Sequence, residues 1–178
     1  MKFLKYLGLG LIAMMVLFGI IGLFLPYDKH IERQIIINAP AAKVFAYAND
    51  FHKFNEWSPW AGLDASTRYT YGGAEKGVGA EMQWTGNHEY VGRGTQVILE
   101  SEPDTFVKTK VEFALMEPAS TTFTLVENNG QTTVTWSFDI YMSNTIFRFS
   151  GYIFDSWGWV GDTYERGLLD LKLLVERN

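Results

Sequence analysis

Eight apolar side chains at helical spacing constrain this chain most: Phe149, Ile153, Trp157, Val160, Tyr164, Leu168, Leu171 and Val175. Steps of three and four residues keep them on one face of a helix with 3.6 residues per turn. The opposite face carries Asp162, Glu165, Arg166, Asp170 and Lys172, which water solvates. From Phe149 to Glu176 the pattern predicts one amphipathic helix of roughly 25 residues, about 37 Å long at 1.5 Å per residue. About six runs with two-residue alternation come before it. A lone long helix after a meander of strands must bury its stripe against their sheet. Gly151, Gly158, Gly161 and Gly167 each weaken that helix by about 0.5–1 kcal/mol relative to Ala. They mark either close packing on the sheet or a bend that leaves a gap above it.

The strands read from their period. Residues 31–37 are rich in β-branched side chains, and Asn38-Ala39-Pro40 ends the run, with Asn38 as cap and Pro40 in the first turn of a helix over Ala41–Ala48. Asn49-Asp50 opens a second short helix with Phe51 and Phe54, and Trp57-Ser58-Pro59-Trp60 forces an irregular turn. Short strands then follow at 67–71, 78–85, 94–101, 106–115, 120–126 and 132–142, with Gly72-Gly73 and Asn128-Asn129-Gly130 as turns. In the last strand Val134, Trp136, Phe138, Ile140 and Met142 share the inner face. The expectation is an α+β domain of about seven antiparallel strands curved around the C-terminal helix.

From Tyr6 to Leu25 twenty residues pass without a charge, the length a helix needs to cross roughly 30 Å of hydrocarbon. A cleaved signal would have an apolar core of about 7–15 residues ending in small side chains. Gly22-Leu23-Phe24-Leu25-Pro26 does not fit that ending, so the segment reads as an uncleaved anchor. Residues 1–5 are then a cytoplasmic N-terminus, 6–26 the anchor and 27–178 the domain, placed outside the cytoplasm by the positive-inside tendency of Lys2 and Lys5. Gly8, Gly10, Gly19 and Gly22 form a candidate helix–helix contact face.

Lys2 and Lys5 aside, the 15 basic residues become 13 against 20 acids, with no basic run. Nucleic acid is a poor electrostatic match for such a domain. The chain has no cysteine, which excludes disulfides, thiolate nucleophiles and Cys-ligated metals. The glycine pairs near 72, 77 and 92 lie between strands and read as hairpin turns rather than phosphate loops. No nucleophile elbow occurs, and no cofactor or metal is expected. Asp50, His52 and Glu56 on one short helix read as a charged face.

The order strand, two short helices, six strands and a long helix is that of the helix-grip fold. The motifs are Ile37-Asn38-Ala39-Pro40 with Val44-Phe45, Asn49-Asp50-Phe51 and Trp57-Ser58-Pro59-Trp60, and further along Gly77-Val78-Gly79-Ala80, Trp84-Thr85-Gly86-Asn87, Gly92 to Gly94, Val134-Thr135-Trp136-Ser137 and Glu165-Arg166-Gly167-Leu168 with Leu171-Lys172. On these motifs residues 31–176 resemble the polyketide cyclase/dehydrase-like branch of the START-like (SRPBCC) superfamily. The resemblance implies carriers and enzymes that hold apolar ligands between sheet and helix, and the anchor, similar to those of bacterial members, implies a single pass through a bacterial cell membrane. Fold alone does not choose among lipid transfer, hormone binding, ring closure and co-chaperone roles.

Aromatics make up 16% of the chain, enough to line a cavity or to fill one. The side chains expected around such a space are Trp60, Met82, Trp84, Phe113, Phe123, Trp136, Phe149, Ile153 and Trp157. His88, Asn87, Arg148 and Asp155 are the polar candidates, and His88 is the one weak candidate for acid–base catalysis. Arg148 and Asp155, if both face inward, must be paired or ligand-bound. The reading is a membrane-tethered module for a hydrophobic small molecule or lipid. The alternatives are a cyclase, dehydratase or hydrolase on an apolar substrate, and a filled core whose surface binds a protein.

Overall fold

Along β7 (Gln131–Tyr141) every second side chain from Thr132 to Ile140 is buried, as the alternation requires. Burying Val134, Trp136, Phe138 and Ile140 stabilises the fold by roughly 1.5–3 kcal/mol each relative to leaving them in water. The computed structural model describes residues 2–114, 116–153 and 157–177, apart from the side chains of Lys2 and Ile153. Helix α1 (Lys2–Phe24) precedes β1 (Asp28–Ile37), α2 (Ala41–Ala48) and α3 (Phe51–Phe54). The remaining strands are β2 (Arg68–Gly73), β3 (Ala80–Thr85), β4 (Arg93–Glu102), β5 (Phe106–Phe113), β6 (Ala119–Asn128) and β7. Helices α4 (Thr145–Ile153) and α5 (Gly158–Arg177) follow. All seven strands pair antiparallel in the order β1-β7-β6-β5-β4-β3-β2, which is the helix-grip architecture expected from the sequence.

Strand pairing in this order gives the sheet two ends of different character. Asp28 pairs with Tyr141, Ala119 with Ile140 and Val111, Phe113 with Gly94, and Thr85 with Arg68. The start of β1, directly after α1, therefore shares an end of the sheet with the β3–β4 and β5–β6 connections. The opposite end carries the β2–β3 turn and the hairpin of Asn129 and Gly130. Both hairpin residues have positive φ, 51° and 76°, the conformation a two-residue type I′ turn demands.

Helix α5 lies on this sheet. Tyr164 stacks on Trp136 with ring centroids 3.8 Å apart. A Cβ at Gly167 would come within 3.0 Å of the Trp136 ring and 2.9 Å of Pro59, so the glycine there lets helix and sheet approach closely. Lys172 Nζ donates to the Ile36 carbonyl at 2.7 Å, and Glu176 accepts from the Asn38 backbone and side-chain amides.

Three local expectations are corrected. The stripe does not form one helix: α4 ends at Ile153, Trp157 is in a turn and α5 begins at Gly158. Its first member, Phe149, faces α1 rather than the sheet, with its ring 4.8 Å from that of Phe18. Asn38 does not cap α2, because its side chain is drawn to Glu176 and Gln131. Pro40 holds the cap position and Glu127 accepts from the Ala41 N–H instead. Gly72 and Gly73 extend β2 opposite Glu81 and Ala80 rather than turning.

Candidate functional site

Alternation on β3 to β7 sends one face of each strand toward α5, and there the packing leaves a cavity of about 90 Å³. Met82 and Trp84, Gln96, Val111 and Phe113, Thr121, and Trp136 and Phe138 face it from the sheet. Phe54, Ser58 and Trp60 close one side, and Trp157, Val160 and Tyr164 form the roof. Its surface is overwhelmingly apolar.

One side of the cavity is solid. The Trp136 ring lies between Tyr164 and Phe123, whose centroid is 4.7 Å away, and meets the edges of Trp57 at 5.3 Å and Trp60 at 5.8 Å. Aromatic pairs of these geometries contribute about 0.5–1.5 kcal/mol each beyond their buried area. A short buried polar chain adjoins these rings, with Gln96 and Thr121 reaching the cavity lining. Gln96 Nε2 donates to Thr109 Oγ1 at 2.8 Å, the Thr109 and Thr121 hydroxyls are 3.3 Å apart, and Trp136 Nε1 donates to Thr121 Oγ1 at 3.4 Å. Burial pushes the phenol of Tyr164 far above the ordinary tyrosine range, an effect that Thr121 beside it partly offsets. These groups satisfy one another, as buried polar groups must.

The other side opens. Trp84 spreads over Gly94, where a Cβ would come within 2.5 Å of the indole, and its Nε1 donates to the Val91 carbonyl at 2.9 Å. Tyr90 and Trp159, both exposed, stand with rings 5.5 Å apart at the rim, and Met116 completes it. Asp64 fixes this rim from behind. It accepts from Ser66 Oγ and N and from the backbone N–H groups of Asn87 and His88. The Ser66 hydroxyl first, then these amides, hold its carboxyl well below the usual carboxylate range.

The structure brings together Trp60, Met82, Trp84, Phe113, Trp136 and Trp157 of the side chains expected at the site. Phe123 is buried behind Trp136, and Phe149 is across α4. The Ile153 side chain and Asp155 lie outside the described residues. His88 and Asn87 sit in the β3–β4 turn away from the lining; His88 Nδ1 accepts from the Tyr90 N–H at 3.2 Å and Asn87 donates to Ser66. Arg148 is buried beneath α4, donating to the Met142 carbonyl and Thr145 Oγ1, with its guanidinium 3.8 Å from the Tyr27 ring centroid. Among the described lining residues the titratable groups are the tyrosines 69, 90 and 164. Asp50 caps α3 through the His52 N–H, His52 stacks on Tyr71 at 3.7 Å, and no cluster of metal-ligating side chains occurs among the described residues. A wider, more open depression of about 140 Å³ between α3 and the β2–β3 turn is lined by His52, Tyr71 and Glu81.

A family model described as polyketide cyclase / dehydrase and lipid transport matches residues 28–176. The chain belongs to that family. Among solved structures, this member is similar to Ara h 8.0201, at 13% identity and TM-score 0.62, with 85% of this chain and 99% of that one covered. The Aha1 dimer from Colwellia psychrerythraea has 16% identity and TM-score 0.59, covering 83% and 96%. CalU16 from Micromonospora echinospora has 14% identity and TM-score 0.57, covering 83% and 74%. At such identities these likenesses establish the fold. No curated protein matches the chain.

Missed in the sequence were the residues of the rim and the polar chain. Phe138 and Tyr164 already stood on inward stripes, and Gln96 is in phase with Ile98 on β4, so period alone could have placed them. Tyr90, Val91 and Met116 lie in connections, where no period exists to be read.

Proposed function

We propose that this protein is a membrane-anchored binding domain for a slender apolar molecule, a lipid or hydrophobic small molecule held between the sheet and α5. The carrying observation is the apolar, aromatic-walled cavity whose titratable lining residues, among those described, are tyrosines. A cyclase, dehydratase or hydrolase needs an acid–base pair near the substrate, and His88 is engaged elsewhere. The volume of about 90 Å³ exceeds the ~10–15 Å³ that one water needs and falls short of the roughly 300–1,000 Å³ of drug-sized pockets. A chain-like guest admitted end-on, such as an acyl or isoprenoid tail, matches that narrowness better than a fused-ring one.

Anchoring rests on α1. Residues Phe3–Phe24 form a helix long and apolar enough to cross a bilayer, and almost all of its side chains are uncovered by the rest of the chain. Residues 1–5 then belong to the cytoplasmic side, 6–26 to the span and 27–178 to an extracytoplasmic domain at a bacterial membrane. Native mass spectrometry of the full chain released from nanodiscs tests the binding reading. The expected result is co-purified apolar ligand that Val160→Trp, which fills the cavity, displaces. A chain that stays empty against a broad panel of lipids and apolar metabolites overturns it.

A further inference from the structure

Helix α4 lies between the domain and α1, and it meets α1 inside the apolar span. A Cβ at Gly22 would come within 2.4 Å of the Thr145 side chain, so the two backbones cross closely there; Gly8, Gly10 and Gly19 meet nothing. Phe149 reaches Phe18 at 4.8 Å. Phe18 lies six residues before the end of α1 at Phe24, or about 9 Å below it at 1.5 Å per residue. Thr145 is level with Gly22 and Phe149 with Phe18, so α4 descends alongside α1 to the depth of about 5–10 Å at which interfacial apolar side chains rest. The composition of α4 suits that depth. Its one formal charge, Arg148, is 1% exposed and turned inward onto Met142, Thr145 and Tyr27, while Ile146 is 79% exposed. Tyr152 pins the helix to the domain by donating to the Asp28 carbonyl at 2.8 Å.

We infer that α4 is a second membrane element, dipping into the outer leaflet of the bilayer alongside α1, and that it turns the mouth of the cavity onto lipid. This rests on the anchoring proposed above. Three residues separate α1 from β1, a path of at most about 14 Å from Phe24 to Asp28. The end of the sheet that begins with Asp28 is therefore held at the membrane surface. That end carries the rim of the cavity, with Tyr90 and Trp159 exposed, the aromatic types enriched where protein meets the membrane–water boundary. On the same side α4 touches the cavity wall, Phe147 meeting Trp157 edge-on at 5.5 Å. The occupant of this face is the bilayer, and an apolar guest passes between lipid and cavity without crossing water.

The chain has no cysteine, so single labels are unambiguous. The full-length variants Ile146→Cys, Tyr90→Cys and Val126→Cys, each carrying an environment-sensitive fluorophore, are placed in phosphatidylcholine–phosphatidylglycerol vesicles with and without doxyl-labelled lipid. All three native side chains are exposed, so burial in protein does not confound the readout. Blue-shifted emission quenched by doxyl lipid is expected at 146 and 90, and water-like, unquenched emission at 126, on the far end of the sheet. Either 146 or 90 behaving as 126 does overturns the inference. Flotation of the unlabelled chain with the vesicles separates the causes. Floating protein with labels 146 and 90 in water overturns the placement of α4 and the mouth alone, whereas protein that does not float overturns the anchor as well. Lipid-embedded labels on a chain that takes up no ligand would sink the binding reading and leave this one standing.

Discussion

Replacing Trp136 with alanine tests the packing on which the cavity depends. The ring is 1% exposed, stacked on Tyr164 at 3.8 Å and Phe123 at 4.7 Å, and touched by the edges of Trp57 and Trp60. Buried Trp→Ala changes cost about 3–5 kcal/mol, and the two stacked pairs place this one at the upper end, near 5 kcal/mol. A domain of this size loses about 2–4 °C of Tm per kcal/mol, so a fall of roughly 10–20 °C follows. Near-ultraviolet circular dichroism melts of the full chain in micelles would read it. The hole also adjoins the existing cavity, so a small apolar additive should recover part of the loss by binding only the folded state. A fall of a few degrees, or no response to the additive, would refute the placement of Trp136 between sheet and helix.

Gly167→Leu should cost about 1–3 kcal/mol by overpacking against Trp136 and Pro59; a neutral Tm would mean that α5 sits farther from the sheet. Asp64→Asn should loosen the rim, seen as faster amide exchange at Asn87 and His88. The stability from its lowered carboxyl is full above the ordinary aspartate value and lost as pH falls through the folded value, so the gap to wild type should close only in strong acid. His30 is raised, chiefly by its hydrogen bond to Asp139. Its contribution is full below the ordinary histidine value near 6.5 and lost as pH rises through the folded one. Asp139→Asn should therefore lower stability at pH 5.5, by less than about 1 kcal/mol for so exposed a pair, and leave pH 9 melts unchanged.

How far the sequence carried this reading differs between regions for physical reasons. The inner face of β7 was legible residue by residue, because a strand with one wet face must alternate. The stripe from Phe149 onward was legible as helix but not as two helices, since spacing reports which side chains share a face and never what that face meets. Phe149 answers to Phe18, far away in sequence, and nothing local encodes that choice. Asn38 looked like a cap because the type suits one; its capture by Glu176 is a tertiary event. At the cavity, large aromatic side chains in inward phase were visible early, whereas Gln96 and Thr121 resembled ordinary strand residues until their bonds to Thr109, which links them, showed why they are tolerated inside.

Under the anchoring and binding proposed above, the three-residue joint between α1 and β1 limits what the domain can do with a guest. On so short a leash it would not ferry a molecule across an aqueous gap as a free carrier does. A guest would leave by the route it came, or pass to an acceptor docked at the same surface, and the protein would be a stationary berth rather than a shuttle.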